Sequence, residues 1–187
     1  MKENKAIPKW VNVVMLILVV GGVAGVLYNI THAFDVFTIL LDVLRLAAFV
    51  CAIIYGFKGY SKKASSYFKT YVWSLIVYFA GSIIVLINAL VKGVEGAGST
   101  LNSSIINAVI LVLQLVSLCM LAGKDLGEKN SNICVIIPIV CQLVFIVLCR
   151  NINPSLSIQL GTSIIPLLML YVMIYAKYKA KKARSSK

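Results

Sequence analysis

Six apolar stretches, at residues 10–30, 36–57, 71–91, 105–122, 133–149 and 158–178, are separated by short connections that hold most of the charged residues. A membrane-spanning helix needs about 20 mostly apolar residues, within a range of about 17–25. Every stretch falls in that range. None alternates apolar and polar positions as a barrel strand does, so a helix is the form that satisfies its own backbone in lipid. The expectation is an all-α, polytopic integral membrane protein. It is a single membrane domain, residues 1–187, built as a bundle of six transmembrane helices. The connections are too short for a soluble domain, and they make successive helices antiparallel.

Composition points the same way. Hydrophobic residues make up 60% of the 187 residues and charged ones 13%, against about 45–50% and about 25% in soluble domains. Mean hydropathy is +0.95. A soluble domain of this size has too little interior to hide so much apolar surface.

The basic residues give the bundle a direction. Lys2, Lys5 and Lys9 precede the first run, and Lys58, Lys62, Lys63 and Lys69 fill the second connection. Lys124 and Lys129 fill the fourth, and the basic tail, 177–187, carries Lys177, Lys179, Lys181, Lys182, Arg184 and Lys187. Six alternating spans gather all of these on one side and leave Lys92 and Arg150 on the other. Short loops this asymmetric place the basic side in the cytoplasm. The chain is therefore expected in the cell membrane, multi-pass, with both termini cytoplasmic. The net charge of +12 follows from this layout. The expected partners are the bilayer itself, anionic lipid at the cytoplasmic face and other membrane subunits. Nucleic acid is not among them, because the charges flank helices and no nucleic-acid-binding fold has room to form.

Chemistry-bearing motifs are few. The first run is too long for a cleaved signal peptide, and its "GGVAG" sets Gly21 and Gly25 on one face, where another helix can approach closely. Cys51, Cys119, Cys134, Cys141 and Cys149 form no C-x-x-C and no Cys/His cluster, so they read as packing residues. His32, the one histidine, lies three residues before Asp35, and two such groups do not make a metal site. Asn29 and Asn102 begin sequons on the outer side. H-E-x-x-H, G-x-S-x-G and the phosphate-binding glycine loops are absent. No catalytic residue, metal or cofactor is assigned.

The strongest lead is "TILLDVLRLAAF", residues 38–49, which places Asp42 and Arg45 inside the second run. Counted from residue 36 at 1.5 Å per residue, Asp42 lies about 9 Å and Arg45 about 13–14 Å down the helix. A lone charge at that depth costs at least about 2.5–3.5 kcal/mol. Spacing of i and i+3 puts the two charges on one face, and Arg45 leans toward Asp42 and the outer water, a partly snorkelling pair. Thr38 sits one turn above. Both charges are expected to face the bundle interior, within reach of one another or of Gln114 or Asn88. Asn88, Asn107, Gln114 and Gln142 on neighbouring runs, with Gln159 and Thr162 at the start of the sixth, are further candidates to line the same space. The binding candidates are thus Asp42, Arg45, Thr38, Asn88, Gln114 and Gln142. Pro138 interrupts a short fifth run and Pro166 the sixth, and broken spans near the midplane accompany transporter sites.

In size, six-helix topology and basic tail, the chain is similar to the substrate-binding subunits of energy-coupling-factor vitamin transporters. The likeness is topological and no ligand motif accompanies it. The expected function is small-solute or ion transport, or a membrane subunit of such a system. The second reading is an accessory or immunity-type protein that acts through helix–helix contacts. The orientation is open to direct test. With the five native cysteines replaced, an engineered Ser61→Cys should resist impermeant thiol reagents in intact cells and react once the membrane is opened; labelling in intact cells would reverse the topology.

Overall fold

The structure, a computed structural model, describes residues 7–32, 36–92, 101–123, 126–150 and 154–185. Those residues form six α-helices: α1 (Lys9–His32), α2 (Val36–Phe57), α3 (Ser65–Lys92), α4 (Leu101–Gly123), α5 (Gly127–Cys149) and α6 (Pro154–Ser185). A turn of 3-10 helix, Lys62–Ala64, leads into α3. Five helices are long and apolar enough to cross a membrane, over Lys9–Thr31, Val36–Phe57, Lys62–Asn88, Gly127–Leu148 and Gly161–Ala183. In α4 the described apolar part, Asn107–Gly123, is shorter.

Several helices extend past the apolar runs that announce them. α3 begins at Ser65 and α5 at Gly127, while α6 spans Pro154–Ser185. The fifth run is thus not a short helix: its first turns are polar, with Glu128, Lys129, Asn130 and Ser131. Hydropathy marks the part that lipid would cover, not the point where the backbone stops being helical. The basic tail stays in α6 as far as Ser185. Alanine, lysine and arginine are strong helix formers, and neither Gly nor Pro follows Pro166.

Helices adjacent in sequence pack side by side, and α6 closes the arrangement against α1 while also touching α2 and α3. Specific contacts fix the directions. Tyr55 meets Phe68 at one end of the α2–α3 pair, and Leu41 meets Gly81 at the other. Trp10 stacks on Tyr175 at one end of α1–α6, and Gly25 meets Thr162 toward the other. Ser131 and Tyr178 share a hydrogen bond near one end of α5–α6, and Gln142 reaches Ser163 further along. Each of these pairs is antiparallel. The starts of α1, α3 and α5 and the ends of α2 and α6 therefore lie together, and with them Lys9, Lys58, Lys62, Lys63, Lys69, Lys129 and the α6 lysines.

The helix with the most charge is the one most enclosed. Large apolar side chains exposed at the surface come from α1 to α5, among them Leu16, Val43, Trp73, Val116 and Val147, and none comes from the described part of α6. Leu167, Met169, Leu170, Met173 and Ile174 of α6 are fully buried. Lys177 rests its ammonium over the Phe68 ring, 5.0 Å from the centroid, where cation–π attraction offsets partial burial. At the α2–α3 turn, Gly59 (φ 62°) and Tyr60 (φ 52°) are both left-handed, and the Tyr60 N–H donates back to the Tyr55 carbonyl. The Tyr60 ring lies edge-on to Tyr55 at 5.2 Å, and burial pushes its phenol pKa up to about 12.

Small residues let these helices meet, because lipid is as apolar as the helix faces and gives them no hydrophobic reason to associate. A Cβ at Gly25 would stand 2.9 Å from Thr162 Cγ2 and 3.0 Å from Thr162 Cβ, and one at Gly22 would strike the Phe49 ring. The Gly21–Gly25 face thus has an identified partner in α6. Gly25→Val should separate α1 from α6 and cost ~1–3 kcal/mol, the usual cost of overpacking. Gly161→Ala, whose Cβ meets nothing within 4 Å among the described residues, should be neutral. Thermal melts of the detergent-solubilised variants compare the two.

Candidate functional site

Asp42 and Arg45 face the bundle interior and are 2% and 0% exposed. Their closest approach, Nη1 to Oδ1, is 3.7 Å. That is an ion pair but too long for a direct hydrogen bond. Arg45 does not snorkel, contrary to expectation, because stronger partners hold it inside. Its Nη2 donates to the Thr162 carbonyl of α6, and its Nη1 reaches the Tyr78 hydroxyl at 3.4 Å. The guanidinium carbon sits 5.4 Å from the Tyr78 ring centroid and 5.8 Å from that of Phe49.

The Thr162 carbonyl is available for a reason. Pro166, four residues on, has no N–H, so this carbonyl loses the donor that an ordinary helix supplies. Arg45 takes the place of that donor. Tyr71, fully buried on α3, donates a second cross-helix bond to the Pro166 carbonyl at 2.7 Å. The proline and the intramembrane arginine, separate oddities in the sequence, are two sides of one interaction.

A second cluster adjoins the first. Gln114 on α4 donates to Gln142 on α5 at 2.6 Å, and Gln142 donates to the Ser163 hydroxyl. Ser163 directly follows Thr162, so the two clusters join on α6. At the other side, the Asn29 side chain on α1 lies beside the Asp42 carboxyl. All six helices contribute to this band. Asp42 lies about 9 Å, and Arg45 and Ser163 about 13.5 Å, along their helices from the end opposite the lysines, and the hydrogen bonds hold Gln142 and Gln114 beside Ser163. Three buried polar atoms in it make no hydrogen bond to protein, namely Asp42 Oδ1, Arg45 Nε and Gln114 Oε1.

The candidates of the sequence divide accordingly. Asp42, Arg45, Gln114 and Gln142 join the band. Asn88 is exposed near the end of α3 and takes no part in it. Gln114 pairs with Gln142 rather than with the charges. Thr38 is half-buried on α2, above Asp42. The side chains of His32, Asn102, Cys149 and Gln159 lie outside the described residues, as do Lys2, Lys5, Asp35, Lys124 and Lys187 altogether. Asn29, Tyr71, Tyr78 and Ser163 were not foreseen. Asn29 drew notice only as a sequon. Pro166 was the available signal for the rest, since it points to a free carbonyl at Thr162.

Among the described residues no three His, Cys, Asp or Glu side chains group as metal ligands do. Comparison of the chain with protein families, curated proteins and solved structures returned no match. Fold and site therefore define a class only: an all-helical membrane protein with a buried charge pair beside a proline-containing helical turn.

The proline–arginine coupling makes a quantitative prediction. Arg45→Ala should cost ~3–5 kcal/mol, because it strands the Asp42 carboxylate. Pro166→Ala restores a helix donor to Thr162, so Arg45→Ala should cost less in that background, by at least ~0.5 kcal/mol. Additive losses in unfolding measurements on the double-mutant cycle would show that the two residues are not linked.

Proposed function

We propose that this protein crosses the cell membrane six times with both ends in the cytoplasm, and that it is a small-solute or ion transporter or the membrane subunit of one. The observation that carries the reading is the polar band in the bundle interior. It draws on all six helices and surrounds the proline-containing turn of α6. It also holds buried donors and acceptors that the protein leaves unused. Ionisable residues inside a membrane bundle are costly and accompany ion and solute paths, and proline-interrupted helices near the midplane accompany transporter sites. Energy from ATP would need a separate subunit, since the chain has no phosphate-binding loop.

A second reading is favoured by a different observation. Arg45 has no exposed surface and is gripped by α3 and α6. An accessory protein that works through helix–helix contacts needs such a dry, locked interior and no more. The two readings differ in whether the band meets water. With native cysteines replaced, Ser163→Cys should be modified from outside by a small, charged methanethiosulfonate if solutes enter the band, and Asn88→Cys, already at the surface, serves as the positive control. Full protection of Ser163→Cys beside a modified Asn88→Cys would favour the accessory reading.

A further inference from the structure

A shallow groove of about 470 Å³ runs along the outer face of α2 and α3. Its walls change character along its length. Ser66, Lys69 and Thr70 lie at the basic end, while Trp73, Val77 and Leu44 line the deeper part, with the small Ser74 between. From Ser66 to Val77 the groove follows α3 for about 16 Å. Trp73 and Val77 are 57% and 52% exposed, so neither side chain belongs to the core. Lys58, Lys62 and Lys63 are exposed at the same end and add positive charge beyond the lysine in the groove itself.

We propose that this groove is a binding site for one anionic phospholipid, the phosphate at Lys69 and the hydroxyls of Ser66 and Thr70 and an acyl chain along Trp73, Val77 and Leu44. The order of the lining matches a lipid read from head to tail. An ammonium and two hydroxyls supply donors for phosphate oxygens. Tryptophan is favoured at the level where headgroup meets chain. The apolar residues continue in the direction an acyl chain must take. A soluble peptide would gain nothing from apolar walls that lipid already solvates, and a neutral lipid would leave the local excess of lysine unused. The proposal rests on the reading that the basic end meets anionic lipid and adds a defined place for it. It requires neither the transport reading nor a particular orientation.

The protein offers its own reporter. It has two tryptophans, and Trp10→Phe keeps an aromatic ring against Tyr175 while leaving Trp73 as the single emitter. The full chain in nanodiscs of phosphatidylcholine would be compared with brominated phosphatidylglycerol or brominated phosphatidylcholine at equal mole fraction. The brominated anionic lipid should quench Trp73 more strongly. Lys69→Gln should lower that preference by about fivefold, the effect of one lysine near an anionic surface. Lys129→Gln, on α5, should leave it unchanged. Equal quenching by the two lipids, or equal loss from the two lysine changes, overturns the groove. If discs rich in anionic lipid still bind the protein preferentially in that case, the general attraction survives and only the site fails.

Discussion

One hydrogen bond links what is unusual about this chain: Arg45 on α2 to the Thr162 carbonyl on α6. Inside a bilayer neither group is tolerable alone. A guanidinium costs at least about 2.5–3.5 kcal/mol there, and a carbonyl without a donor costs energy as well. Pro166 creates the second problem and Arg45 answers it. Asp42, one turn along α2, balances the charge, and Tyr78 and Phe49 offer their ring faces. The alternative for either partner is exposure to hydrocarbon, so the bond fixes how α2 and α6 sit relative to each other. Gly25 and Gly22 then have to be small, because α1 packs against Thr162 and Phe49.

The same logic accounts for α6 lying at the centre. In water the most apolar helix is the natural core. In lipid the apolar helix is equally content outside, and what must be enclosed is the polar one. α6 carries the freed carbonyl, Ser163 and a long basic end, and it is the helix with no large apolar side chain at the surface among its described residues. α1 and α5, richer in aliphatic residues, turn Leu16, Val20, Val144 and Val147 outward. The bundle sorts its helices by polarity, with the direction reversed from that of a soluble protein.

This reversal also explains what could be read in advance. Helix number, order and class followed from run length, because lipid permits little else. The gathering of lysines at one end followed from alternation. Helix ends did not, since Glu128 to Ser131 and the tail after Tyr178 are helical for reasons of propensity that hydropathy does not measure. Asp42 and Arg45 were legible because charges in an apolar run must have partners. The identity of those partners was not. A backbone carbonyl carries no residue signature, and Tyr78 and Ser163 look like any other polar residue in a span. Asn88 shows the converse: a polar side chain near a helix end satisfies itself at the surface and needs no place in the interior.

The lock at Arg45 and a site at Arg45 are compatible roles. Were α2 and α6 to part, the hydrogen bond lost would be one to a charged group, about 1.5–3 kcal/mol. A solute that binds the open arrangement about 10 to 150 times more tightly than the closed one offsets that loss. Asp42 Oδ1, Arg45 Nε and Gln114 Oε1 are the atoms with capacity to supply such a difference, since they make no hydrogen bond to protein.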